Sequence, residues 1–195
     1  ADVAAPPARV VDAVARPESE EEVRSLVGVA GVCLVPYGGG TNVSLALSVP
    51  EGEARPVVAV HMGRMSRVLG VNRADKVAHV QAGIRGADLE AALNRQGFTC
   101  GHEPDSIEFS TLGGWIATKS SGMKQNRYGN IESLVVDVRA VTADGRVVSG
   151  ANAMRTSHGM VELRDHAVGS EGNLFLITSA TVRLFRLPDT VRYES

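Results

Sequence analysis

The 195-residue sequence predicts an α+β fold. Helical and strand patterns follow one another without the regular strand–helix–strand rhythm of a doubly wound sheet. Asp144-Gly145, set between two apolar alternations, marks a hairpin. A long alternating run over 174–187 supplies one extended strand region.

Each element has a local reason. Over 19–30, Val23, Leu26, Val27 and Ala30 recur at helical spacing. Ser19 is placed to cap this helix, Glu22 to complete a capping box, and Gly31 to stop it. The apolar run 32–35 reads as a short buried strand, with Cys33 a small core residue. Residues 57–60 read as a strand, 65–71 as an edge strand and 77–81 as a weakly alternating strand. Residues 87–96 read as a second helix, with Leu89, Ala92 and Leu93 inward and Gly97 as its stop. Then come a short strand over 98–100, a short helix over 112–119 after a polar loop, and another over 163–168. The hairpin arms are 134–142 and 146–149. In the last run Leu176, Thr178, Ala180, Val182, Leu184 and Arg186 share one face; Ile177, Ser179, Thr181, Arg183 and Phe185 share the other. Strand–helix alternation dominates the first half and hairpins the second. A division near residue 100 is therefore expected within a domain spanning 10–187.

Composition excludes several classes. Twenty Lys and Arg against 22 Asp and Glu give a formal charge of −2, which argues against a nucleic-acid surface. With 44% apolar and 22% charged residues the chain is globular in composition. No uncharged apolar run reaches the length of a membrane helix. Cys33 and Cys100 make neither a disulfide framework nor a zinc site and fit a reducing compartment. Residues 1–11 resemble neither a signal nor a transit peptide, and the segment is expected to begin inside a longer protein.

Three glycine-rich polar junctions carry the chemistry. In Pro36-Tyr37-Gly38-Gly39-Gly40-Thr41-Asn42-Val43-Ser44, three glycines follow a buried strand. Without Cβ atoms such a turn can aim its backbone N–H groups at an anion, with Thr41, Asn42 and Ser44 adding side-chain partners. No Gly-Lys-Ser/Thr follows, so it is not a Walker A loop, and it lacks the spacing of the dinucleotide fingerprint. The alternative is a flexible glycine turn at a sheet edge. The second junction runs from Gly101 to Trp115. It offers His102, Glu103, Pro104, Asp105 and Ser106, then Ser110 and Thr111 before Gly113-Gly114 at an expected helix start. Those N–H groups either bind a ligand or are capped by Ser110 and Thr111. Ala117, Ser120, Ser121 and Gly122 are small enough to admit a flat ring. His102 with Glu103 has no third ligand at metal spacing, so no metal is expected. The third junction is Gly169-Ser170-Glu171-Gly172, before the last strand.

In this order, residues 36–44, Pro104-Asp105-Ser106 and Ser110-Thr111-Leu112-Gly113-Gly114-Trp115 resemble the FAD-binding domain of the vanillyl-alcohol oxidase / p-cresol methylhydroxylase (PCMH) class. Gly101-His102-Glu103-Pro104-Asp105-Ser106, Ser121-Gly122-Met123-Lys124 and Tyr128-Gly129-Asn130-Ile131-Glu132 resemble the alkyldihydroxyacetonephosphate synthase family in particular. The resemblance covers roughly 10–187. It implies a PCMH-type domain of two α+β subdomains with noncovalent FAD between them. Pro36, Gly38, Gly39, Gly40, Thr41, Asn42 and Ser44 would serve the pyrophosphate. Pro104, Asp105, Ser106, Ser110, Thr111, Gly113, Gly114, Thr118 and Ser121 would line the rest of the cofactor. Gly169, Glu171, Gly172 and Ile177 would lie near its flavin and adenosine parts. His102 and Thr111 match family residues in supporting catalytic roles.

The activity implied for the parent protein is exchange of the acyl chain of acyl-dihydroxyacetone phosphate for a fatty alcohol, in ether-lipid synthesis. N5 of the flavin would serve as nucleophile, and the flavin would end in its starting redox state. The main catalytic residues are expected in a cap domain beyond this chain, which leaves the isolated chain inactive. The resemblance also implies a peroxisomal or glycosomal setting, and peripheral membrane association and homodimerisation through regions outside the chain. Two alternatives remain: the FAD domain of a 2-hydroxyacid oxidase or dehydrogenase, and a non-catalytic flavin-binding module. Two stretches depart from the family pattern, Phe175 where the family has glycine and residues 160–165. Both bear on flavin affinity and local geometry, whereas the pyrophosphate loop is intact.

Overall fold

A computed structural model describes residues 10–50, 52–150, 162–188 and 190. The chain opens with β1 (Ala13–Ala15), α1 (Glu20–Val27), β2 (Cys33–Tyr37) and β3 (Val57–His61). The three strands form a parallel sheet in the order β1-β3-β2. Val57 and Val60 are fully buried on the central strand. Because β2 is an edge strand, it can run through Pro36, which has no N–H to donate.

Ser19 caps α1 as expected, its Oγ accepting the Glu22 N–H at 3.2 Å. The Glu22 carboxylate, however, accepts from the N–H of Glu18, at 2.9 Å, one residue before the cap. The helix also stops at Gly28 rather than Gly31. Its inward face ends with Val27, and Val29 and Ala30 are exposed, so nothing rewards a further turn.

A single 3-10 turn, Met62–Arg64, leads into the second unit. There β4 (Val68–Asn72), β5 (Val77–Gln81), β7 (Val135–Thr142), β8 (Val147–Ser149) and β9 (Phe175–Arg183) form an antiparallel sheet in the order β4-β5-β9-β7-β8. Around it lie α2 (Gly86–Asn94), α3 (Leu112–Ala117), α4 (Gln125–Tyr128), α5 (Ile131–Leu134) and α6 (Leu163–Ala167). A short antiparallel ribbon pairs β6 (Phe98–Thr99) with β10 (Phe185–Arg186). The expected edge strand begins at Val68 rather than 65, because Met65 turns into the core at 3% exposure.

The boundary between the sheets falls between His61 and Val68. It does not fall near residue 100: β4 and β5, before that point, pair into the same sheet as β7 to β9, after it. β9 is the central strand, which is why both of its faces are buried. Its alternation breaks at Thr178. Arg139 pairs with Ser179 and Ala140 with Ile177, leaving Thr178 as a bulge residue. The one proton of the Thr178 hydroxyl is shared between the Arg139 carbonyl at 3.1 Å and Glu20 Oε2 at 3.0 Å.

Two contacts fasten the sheets together. Val23, Val60, Met62, Met65, Val141 and Leu176 form one apolar cluster drawn from both units. Beside it Arg139 grips the Glu20 carboxylate with two hydrogen bonds of 2.7 and 2.8 Å. That guanidinium holds the Glu20 carboxyl below the ordinary carboxylate range. The larger core lies between the five-stranded sheet and the helices and includes Leu89, Leu93, Trp115, Ile116 and Leu134. No described helix is long and apolar enough to cross a membrane.

Candidate functional site

Where β2 ends, the chain swings across the junction of the two sheets and opens a cleft of about 330 Å³. Loop 36–44 forms one wall; Pro104, Ser106, Ser110, Thr111 and α3 form the other. Leu176 and Ile177 come from β9 between them, Met62 and Ala82 from the residues directly after β3 and β5, and Glu171, Gly172 and Phe175 close a third side. The cleft thus stands on the cluster that joins the sheets, which keeps its two walls in register. Glu171 is the one ionisable acid or base among the lining residues apart from the Tyr37 phenol.

The glycines of the first wall are there for two reasons. A methyl group built at Gly39 would collide with the Phe109 carbonyl oxygen and lie 2.7 Å from its carbon; one at Gly38 would collide with the Thr111 hydroxyl. These residues therefore let the loop press against the opposite wall. Gly40 has φ +69°, the left-handed turn that swings the chain outward. The Asn42 side chain accepts the Ala46 N–H at 3.1 Å and braces the loop beyond it. Among the described residues, no backbone N–H from 38 to 44 has a protein acceptor. Such a run of unpaired amide donors, beside a cleft without a Lys or Arg among its described lining, is chemically able to receive an anion.

The second wall is built differently. Thr111 caps α3, its Oγ1 accepting the Gly114 N–H at 3.3 Å. The N–H groups of Leu112 and Gly113 go to the carbonyls of Ile84 and Ala82, at 3.0 and 2.8 Å. Every donor of the first turn is thereby spent on protein. Of the two readings the structure favours the cap, and α3 presents side chains and a close-packed backbone to the cleft. Ser110 accepts the Trp115 indole N–H at 2.8 Å and donates to the Ser106 carbonyl at 2.9 Å, which fixes the indole in the wall.

His102 is 1% exposed and does not line the cleft. It packs edge-on against Trp115, with ring centroids 4.8 Å apart, and its Nε2 lies 2.8 Å from Ser120 Oγ, a lining residue. Burial pushes its imidazole down to about 4. It stands behind the cleft wall and reaches the lining through Ser120.

The structure brings Pro36, Gly38, Gly39, Gly40, Thr41, Asn42, Ser44, Pro104, Ser106, Ser110, Thr111, Gly113, Gly114, Thr118, Glu171, Gly172 and Ile177 to the cleft. Besides His102, it leaves three expected residues outside. Asp105 is exposed on the 104–109 turn. The Ser121 hydroxyl is turned to Gln125 and Asn130, at 3.0 and 2.8 Å. Gly169 (φ +82°) serves a turn, its N–H bonded to the Ile116 carbonyl at 3.0 Å. Sequence reasoning missed the apolar lining, notably Met62, Ala82, Leu47 and Leu176. Met62 and Ala82 each directly follow a strand, and that position was the available signal. Phe175, the departure from the family pattern, is 9% exposed and forms part of the wall. Of the other departing stretch, 160–161 lie outside the described residues, and Glu162 leads into α6.

The chain matches the model of an FAD-binding domain over residues 11–151. It is 43% identical over 190 residues to the alkyldihydroxyacetonephosphate synthase of Caenorhabditis elegans, covering 96% of this chain and 32% of that protein. It is 42% identical over 185 residues to that of Dictyostelium discoideum, covering 93% and 30%. A solved alkyldihydroxyacetonephosphate synthase superposes with a TM-score of 0.83 at 39% identity, over 91% of this chain and 32% of that one. The chain spans about a third of the length of these relatives.

Proposed function

The chain belongs to the FAD-binding domain family, and from that premise we propose that it is the flavin-holding part of an alkyldihydroxyacetonephosphate synthase. One observation carries the reading furthest: the unpaired amides of 38–44 line a cleft that, among the described residues, has no cationic side chain. A diphosphate needs such donors, and the apolar walls suit uncharged rings on either side of it. Residues 38–44 would hold the pyrophosphate, and Trp115, Phe175 and Ile177 would face the apolar parts. Attachment is noncovalent: neither Cys nor His lines the cleft among the described residues. Burial pushes the Cys100 thiol up to about 12, far from nucleophilic use.

When bound there, a flavin would supply a nucleophilic nitrogen, N5, without net redox change. The chain's own residues bind, orient and desolvate it. The parent protein exchanges the acyl chain of acyl-dihydroxyacetone phosphate for a fatty alcohol, with a fatty acid leaving, in a peroxisome or glycosome. The residues that grip the substrate phosphate lie outside this chain, which turns over nothing by itself.

Incubating the purified chain with FAD, removing excess by gel filtration and precipitating with acid tests the proposal. The expected result is a flavin absorbance that coelutes with protein and stays in the acid supernatant. Colour in the pellet overturns the noncovalent claim, and no uptake at saturating FAD overturns the flavin-holding one. Supplied with the remaining domains, the parent should exchange acyl for alkyl; oxidation of a 2-hydroxyacid with flavin reduction would instead identify a dehydrogenase.

A further inference from the structure

The mechanism above leaves one buried group unused. The His102 ring has a single hydrogen bond, between Nε2 and Ser120 Oγ at 2.8 Å, and its Nδ1 is buried with no partner. Burial also keeps the ring unprotonated near neutrality, with a pKa of about 4, so the ring carries one N–H. That proton has two places to sit. On Nδ1 it would be a buried donor with no acceptor, and Ser120 would have to donate inward to Nε2. On Nε2 it is satisfied at once, and only a lone pair at Nδ1 goes unmatched. Native proteins orphan buried N–H groups less readily than acceptors. Glu132 is the group whose charge acts on His102, and its Oε2 is also buried without a partner. No hydrogen bond joins Nδ1 to Glu132.

We propose that Ser120 is a specificity-determining residue whose hydroxyl proton is directed into the cleft, because His102 donates Nε2–H to the Ser120 oxygen. Ser120 then recognises a hydrogen-bond acceptor, a ring nitrogen or carbonyl oxygen of the bound flavin nucleotide. His102 is its positioning residue, held against Trp115. The inference rests on the flavin-holding reading for the identity of the acceptor; the direction of the hydrogen bond does not.

Two measurements on the full chain test it. Long-range proton–nitrogen NMR of the apo protein reads the tautomer directly, and Nε2–H is expected. FAD titration of the wild type, S120A, H102Q and H102L reads the consequence. S120A and H102L are expected to bind about fivefold to tenfold more weakly, the effect of one lost hydrogen bond. H102Q keeps an N–H near the Nε2 position and should bind within about twofold of wild type, with the flavin absorbance band unshifted. An Nδ1–H tautomer overturns the inference, as does an S120A chain that binds FAD as tightly as a binding wild type; either leaves the flavin reading standing. A wild type that takes up no FAD overturns that reading and the flavin as Ser120's target, while the tautomer still reports on the donor itself.

Discussion

The two glycine-rich walls of the cleft look alike in sequence and are opposites in structure. Gly38-Gly39-Gly40 leaves its amides without protein partners, whereas Gly113-Gly114 has every amide engaged. The difference comes from what each approaches. Gly113 sits where a methyl group would lie 2.9 Å from Ala82 Cβ, so α3 is pressed onto the turn after β5, and the carbonyls of that turn take its donors. The loop after β2 touches the opposite wall edge-on, through the Phe109 carbonyl and the Thr111 hydroxyl, and neither offers an acceptor to its amides. A glycine run therefore marks close approach in both places, and only the acceptors brought to it decide whether it can serve a ligand.

Four predictions break or sharpen this contrast. The largest effect is expected for Gly39→Val. Its Cβ runs into the Phe109 backbone, which cannot yield as a side-chain tip can. Urea unfolding of the apo chain should show a loss of upward of about 3 kcal/mol. Unchanged apo stability with weakened FAD binding would mean that the loop glycines serve the ligand alone.

The second concerns the protein-satisfied wall. His102 has a folded pKa of about 4 against an ordinary 6.5. As pH falls, the unfolded chain takes up this proton first. Stability is full above about pH 6.5 and is lost progressively toward pH 4, by roughly 3 kcal/mol. Unfolding free energies of wild type and H102Q across that window check it. H102Q should show the flatter slope, and parallel slopes would refute the buried-imidazole account.

Third, Thr111→Ile removes the cap on Gly114 and presses extra carbon toward Gly38. The apo chain should lose about 1–2 kcal/mol, since an N-cap alone is worth about 1. FAD weakening in an otherwise undiminished apo chain would show instead that the hydroxyl serves the cofactor.

The smallest effect belongs to the free loop. Asn42→Ala removes the brace on Ala46. Apo stability should stay within about 0.5 kcal/mol, while FAD affinity falls about threefold, because only the bound state needs the amides ordered. An apo loss larger than the binding loss would place the loop among the folded-state contacts.

Much of the scaffold was legible locally. The strand at 77–81 and the hairpin around Gly145 follow from apolar alternation and turn chemistry. The Ser19 and Thr111 caps follow from hydroxyls just before apolar runs. Most of the lining was legible too, because three glycine-rich polar runs stand at strand and helix ends, where backbone and small hydroxyls can border a cleft. Short elements were not: Ala13–Ala15, Gln125–Tyr128 and Ile131–Leu134 carry too few residues to show a period. Nor was the apolar part of the cleft, since a methionine or leucine at a strand end reads the same whether it faces core or ligand.

By itself, then, the sequence determined the α+β class, the order of most elements, the glycine loop after the first buried strand and the resemblance to an FAD-binding domain. The tertiary structure alone decided that residues on either side of position 100 share one sheet, that Thr178 is bulged toward Glu20, that His102 stands behind Ser120, and which glycine amides remain free. The physical reason is range. Periodicity, capping and turn geometry act over a few residues, whereas the acceptors that occupy the α3 amides come from Ala82 and Ile84, some thirty positions earlier in the chain.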